Sequence, residues 1–250
     1  YYSQSGLGSI LLMVVACVLP WLMPLRSGIA LLVLCEVVII PVYVRGLGFT
    51  WGEAVTQARR MAAHLHSRGI GPGCQVAILS KNCAHFFIAE LAIWLAGGTT
   101  VAIFPTEGAQ TIGFVLEHSD ARLLFVGKLD TWEQQRAGVP SDLPCIALPL
   151  APDTDCERWD DIVARTEPLA GRISRGADDL AMFIYTSGST GTPKGAMITF
   201  GAVSAVGKGY TDDLAGRMGA TGRWRVLSYL PLAHSYERAV IAAPAWHSGQ

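Results

Sequence analysis

Between Tyr185 and Gly195 the chain reads YTSGSTGTPKG, setting the hydroxyls of Thr186, Ser187, Ser189, Thr190 and Thr192 among Gly188, Gly191 and Gly195, with Lys194 near the end. These residue types suit a polyphosphate. Glycines permit turns that point backbone N–H groups inward, hydroxyls add short donors, and the ammonium brings a mobile point charge to phosphate oxygens. A P-loop is excluded by spacing, because that motif needs lysine directly after glycine and Ser or Thr directly after lysine. Here Lys194 stands between Pro193 and Gly195. A flexible Ser/Gly linker fits poorly, since apolar runs flank the loop at Leu180 to Tyr185 and Ala196 to Ile198. The first run predicts a buried strand, and α/β sheets place ligands at strand ends.

A second marked stretch, YLPLAHSYER, runs from Tyr229 to Arg238 around His234. By itself, His234 also has a bland reading as a histidine packed at a strand end. Glu237 and Arg238 read as an adjacent surface ion pair worth little.

Together the two stretches resemble signatures of the adenylate-forming (AMP-binding) superfamily, which includes acyl-CoA synthetases, luciferases and peptide-synthetase adenylation domains. Tyr185 to Gly195 is similar to its phosphate loop. Tyr229 to Arg238 is similar to the Leu-Pro-Leu-Ala-His-x-x-Glu-Arg form of long-chain acyl-CoA synthetases, and the resemblance covers residues 42–250. It implies that Thr186, Ser187, Gly188, Ser189, Thr190, Gly191 and Thr192 hold the ATP phosphates, with Mg2+ at Thr190. Lys194 would add supporting charge, and His234 would place the acyl carboxylate and the α-phosphate. One departure is Phe200, where members commonly carry histidine or asparagine.

The chemistry so implied is activation of an inert acid. A carboxylate resists nucleophiles, whereas its mixed anhydride with AMP does not. The first step joins a carboxylate oxygen to the α-phosphorus and expels pyrophosphate, so triphosphate charge must be neutralised and the oxygens aligned. A carboxylate has no proton to remove at neutral pH, which makes His234 a positioning group rather than a base. Fatty acid, ATP and coenzyme A are the implied small-molecule partners. Adenylation of an aryl or amino acid, or an inactive membrane-anchored nucleotide-binding remnant, are the alternatives. The later family motifs cannot be assigned before Gln250, so the chain is expected to be part of a larger domain and inactive alone.

The elements that must position these residues alternate. Thr50 and Glu53 form a capping box opening an amphipathic helix from Trp51 to Arg68, with Val55, Ala58, Met61, Ala62 and Leu65 on its core face. Arg59, Arg60, Arg68, His64 and His66 read as its wet side. Strands are predicted at Gln75 to Leu79, Thr99 to Phe104, Ala121 to Val126 and Cys145 to Leu148. Helices are predicted at Ala84 to Ala96 and Thr111 to His118. After the loop follow a strand from Gly195 to Phe200, a helix from Ala202 to Leu214 and a strand from Arg225 to Leu230. Such alternation is the spacing of βαβ units in an α/β fold, a layered parallel sheet covered on both faces.

Balanced charge, 19 Lys+Arg against 20 Asp+Glu, leaves no electrostatic footprint for nucleic acid. Six cysteines without a CxxC pair read as unpaired thiols in a reduced, cytoplasmic setting. The acidic residues between Asp153 and Asp161 read as a solvated segment. Mean hydropathy is +0.36, with the excess at the N-terminus. Residues 1–45 therefore form a separate apolar segment ahead of the AMP-binding part at 46–250. Two uncharged or nearly uncharged runs within 7–44, separated by Arg26, each approach the ~20 residues of a bilayer span. A membrane hairpin, a buried core element and a stretch foreign to the protein all remain open for this segment.

Overall fold

A computed structural model of the chain describes residues 48–171, 173–187, 193–218 and 227–248. The expected membrane hairpin at 7–44 lies outside them. Among the described residues no helix is long and apolar enough to cross a membrane.

Helix α1, Trp51–Ser67, starts at the expected capping box: Glu53 N donates to Thr50 Oγ1 (3.2 Å), and Thr50 N donates to the Glu53 carboxylate (2.8 Å). Its buried stripe is turned from the expected one. Ala54, Ala58, Met61, Ala62, His64 and Leu65 are buried, whereas Val55 is 40% exposed. The reason is a second packing partner. Besides α2, Ala84–Leu95, the helix meets α5, Trp159–Arg165, where Trp159 Nε1 donates to Gln57 Oε1 (3.1 Å). The basic residues expected on the wet side are also employed. Arg60 Nη1 donates to the carbonyls of Val163 (3.1 Å) and Thr166 (3.0 Å), His66 Nε2 bonds Ala96 O (2.8 Å), and Arg68 pairs with Glu157.

Burial pushes the His64 imidazole below its ordinary pKa, helped by Arg68 and Arg165, and burial does the same at His85 against the opposing pull of Asp160. The unfolded chain therefore takes up protons that the fold refuses. Stability should fall as pH drops through the unfolded imidazole value of about 6.5, levelling off below the folded pKa values. Urea midpoints measured between about pH 7.5 and about pH 5.5 will show this slope, and the His64→Gln, His85→Gln double variant should flatten it.

Among the described residues seven strands form one sheet: β1 Gln75–Leu79, β2 Thr99–Ile103, β3 Ala121–Val126, β4 Cys145–Ala147, β5 Glu157–Arg158, β6 Leu180–Ser187 and β7 Pro193–Thr199. Their order is β5-β4-β3-β1-β2-β6-β7. All neighbours are parallel except β6 and β7, which form an antiparallel hairpin. The remaining helices are α3 Ala109–His118, α4 Trp132–Gln135, α6 Phe200–Met218, α7 Ser235–Glu237 and α8 Ala243–Ser248. Successive strand residues feed opposite cores, as the pleat requires. Val76, Ile78, Leu123 and Phe125 join the layer under α1 and α2, while Ala77, Leu79, Leu124 and Val126 join the one under α3. The expected α/β sheet covered on both faces is present.

Two expectations fail. Residues 227–230, the described part of the strand expected at 225–230, are not in a strand. Leu227 and Tyr229 are each 64% exposed, and the Leu230 carbonyl is bonded by a side chain rather than by a ladder. The cysteines are not all unpaired either, because Cys145 and Cys156 form a disulfide with Cα atoms 5.1 Å apart. The register explains it: Ile146 pairs with Glu157 across β4 and β5, so the residues just before them lie abreast. An eleven-residue separation carries no local signal for such a bond. Cysteine usage therefore no longer points to a reduced compartment.

Candidate functional site

Strand β6 is apolar until Tyr185, and Thr186 after it is exposed. Strand β7 returns beside it, with Tyr185 opposite Gly195, Thr186 opposite Lys194 and Ser187 opposite Pro193. Directly paired residues of antiparallel strands share a face, so exposed Lys194 stands beside Thr186. The hairpin thus brings ammonium and hydroxyl together across the turn. Gly188, Ser189, Thr190, Gly191 and Thr192 lie outside the described residues.

Gly195 has a packing reason. A Cβ there would come 3.1 Å from Tyr185 Cζ, so the absence of a side chain lets the Tyr185 ring lie against the returning strand. The Tyr185 hydroxyl is 2.8 Å from His118 Nδ1, and burial pushes its pKa up, which keeps it neutral. His118, the last residue of α3, is therefore tied to the base of the hairpin.

Beyond the C-terminal ends of β2 and β6 opens a cleft of about 380 Å³, lined by Phe104, Glu107, Tyr185, Thr186, Pro193 and His234 among others. Thr186 and His234, 48 positions apart in sequence (234 − 186), meet in this one cleft. Lys194 is on the adjoining hairpin but not among the lining residues. His234 caps α7. Its Nδ1 accepts from Tyr236 N (3.1 Å), which leaves the proton of the neutral ring on Nε2. The exposed ring is then a donor, not an acceptor, at its free nitrogen.

The opposite wall is held by Gln135, whose buried Nε2 donates to the carbonyls of Pro105 (2.9 Å) and Glu107 (3.0 Å). Hydroxyl and carboxylate oxygens of Thr186 and Glu107 are hard donors of the type Mg2+ accepts alongside phosphate oxygens. Among the described residues no group of three or more His, Cys, Asp or Glu gathers to hold a metal alone.

Glu237 and Arg238 are not a surface pair. They are 1% and 3% exposed, and Arg238 Nη1 donates to Oε1 of fully buried Glu90 (2.5 Å). The guanidinium also lies 5.4 Å from the Phe86 ring centroid. Burial raises the Glu90 carboxyl pKa, with Arg238 opposing. The sequence did hold a trace of this partner, since Glu90 is the single charged residue in AHFFIAELAIWL. Phe200, the departure from the family pattern, packs under Arg175 (4.7 Å to the ring centroid) and edge-on to Trp94 (5.2 Å), so it serves the core.

A second, apolar cavity of about 210 Å³ lies on the α6 and α8 side of β6 and is lined by Met182, Ile198, Val203 and Trp246, among others. It shares Ile184 and Ser235 with the cleft.

The family model for AMP-binding enzymes matches residues 37–250. The long-chain-fatty-acid–CoA ligase FadD15 of Mycobacterium bovis is 34% identical over 209 residues, 80% of this chain and 34% of that protein. A linear gramicidin synthase of Brevibacillus parabrevis is 32% identical over 151 residues, 60% of this chain and 3% of that protein. The O-succinylbenzoate coenzyme A synthetase MenE of Bacillus subtilis, solved with AMP, superposes with a TM-score of 0.59 at 23% identity over 80% of this chain and 47% of that one. The chain thus spans about a third of the length of the fatty-acid ligase it matches.

Proposed function

Because the chain belongs to the AMP-binding enzyme family, we propose that it is part of an ATP-dependent long-chain fatty acid–CoA ligase. The observation that carries this reading is that two unlike cavities share the lining residues Ile184 and Ser235, one with Thr186 and His234 in its wall, the other mostly apolar. A carboxylate held beside these two shared residues would face the cleft, with the apolar cavity next to it for its tail. At about 210 Å³ the apolar cavity is smaller than the roughly 300 Å³ of common small-molecule pockets, so in this reading it would hold only the first carbons next to the carboxyl group.

In this reading the hydroxyls and backbone of 186–192 hold the β- and γ-phosphates, and Lys194 supplies charge beside Thr186. Thr190 would hold Mg2+, which when bound would supply positive charge against that of the pyrophosphate. His234 Nε2–H donates to the carboxylate or α-phosphate oxygen and fixes the line of attack. A carboxylate oxygen bonds to the α-phosphorus as the bond to the bridging oxygen breaks and pyrophosphate leaves. The coenzyme A thiolate then attacks the acyl carbon and AMP departs.

An amino acid is the competing substrate, as the likeness to a gramicidin synthase suggests. It would require an anionic partner for its ammonium. Among the described residues lining the apolar cavity none is acidic, and the Arg238 guanidinium is paired with Glu90. The test is acid-dependent pyrophosphate release by the full-length protein. Release with palmitate and not with amino acids or benzoate is expected. The reverse preference would overturn the fatty-acyl reading and leave adenylation standing.

A further inference from the structure

His234 acts from a segment with little backbone support. Residues 227–231 are in no strand or helix, and the main chain holds the turn through His234 N to Pro231 O (2.8 Å). Leu232 and Ala233 pack into the core, and among the described residues one side chain bonds the polar backbone of that segment to the body of the protein. Asn82, in the connection from β1 to α2, donates from Nδ2 to Leu230 O (2.6 Å) and Ser228 Oγ (3.0 Å) and accepts from Leu232 N at Oδ1 (2.8 Å).

The connection is itself pinned. Lys81 N donates to Lys128 O (2.8 Å), and Lys128 N donates to Ser80 Oγ (3.0 Å). On the far side of His234, Arg238 is held by Glu90 of α2. The same helix and its approach therefore grip the chain before and after His234.

We propose that Asn82 is a positioning residue for His234, setting where the Nε2 donor stands in the cleft. The inference rests on the role given to His234 under the proposed function. A carboxamide suits the task because the segment presents a carbonyl and an N–H two residues apart, and only a group with both donor and acceptor satisfies both. Alanine would leave Leu230 O and Leu232 N without partners. Aspartate would keep the acceptor but set a negative charge against Leu230 O.

The experiment is a kinetic cycle in the full-length protein with Asn82→Ala, His234→Ala and the double variant, read as acid-dependent pyrophosphate release. Displacing a reacting-group contact by a fraction of an ångström to an ångström lowers kcat by roughly 10- to 100-fold. Asn82→Ala should show that loss with KM for ATP changed only a few-fold, and should add under about threefold once His234 is alanine. Asn82→Asp should reproduce the loss if the alanine variant folds poorly. Losses that multiply in the double variant, or wild-type kcat in Asn82→Asp, would overturn the inference.

Amide hydrogen exchange supplies a readout free of activity. In Asn82→Ala the Leu232 amide and the Tyr236 amide, which His234 caps, should exchange faster while amides of β1 keep their protection. Unchanged exchange at both would sink the positioning role, whereas a wild-type protein that activates no fatty acid would sink only the substrate reading.

Discussion

Replacing Arg238 by alanine is expected to lower folding stability by about 3–5 kcal/mol, the cost of leaving one member of a buried pair uncompensated. Glu90 is fully buried, and among the described residues its Oε2 has no hydrogen-bond partner even with Arg238 present. Without the guanidinium the carboxylate must stay charged in an apolar layer or take up a proton. Burial already raises its pKa, so the variant's folded state should hold that proton to a higher pH than the unfolded chain does. The sign follows: the deficit of Arg238→Ala is largest at neutral and higher pH and shrinks as pH falls towards the ordinary glutamate range. Denaturant unfolding at several pH values measures both magnitude and slope. Replacing the pair together, Glu90→Leu with Arg238→Met, should recover most of the loss, since desolvation of both charges is then avoided. A double variant as unstable as Arg238→Ala would show that packing around the pair, not the uncompensated charge, is what matters.

His234→Ala in the full-length protein is expected to slow adenylate formation by about 10²- to 10³-fold, the usual effect of deleting one donor aimed at developing charge. Two functions are lost at once, the cleft donor at Nε2 and the cap on Tyr236 N. His234→Asn separates these from base catalysis. Asparagine is among the best N-capping residues and also carries an amide donor, so it should restore part of the rate. A base would not be restored by an amide. Pre-steady-state pyrophosphate release distinguishes the outcomes, and an asparagine variant as slow as alanine would remove the donor role.

Much of the fold was legible because it depends on neighbours in sequence. The capping box at Thr50 and Glu53 spans three residues, and the strands at Gln75–Leu79 and Ala121–Val126 appear with the bounds their apolar runs predict. The stripe on α1 was misjudged at Val55 and His64 because a helix wheel records spacing but not how many partners press on the helix. The segment from Lys128 to Asp178 held α4, β5 and α5, which are too short for periodicity to register.

The order of residues alone pointed to the kind of chemistry proposed here: glycines and hydroxyls between two apolar runs, ended by a lysine, and a histidine three positions after a proline. Those are properties of composition within about ten positions, where chain connectivity already dictates proximity. Only the tertiary structure decided which polar groups would be buried and what would hold them. Asn82 reaches Leu230 across 148 positions and Glu90 reaches Arg238 across the same span, while Cys145 meets Cys156 through strand register. A lone asparagine or glutamate looks alike on a surface and in a core until another segment packs over it, and the cost of burying it unpaired is what makes the distant partner necessary.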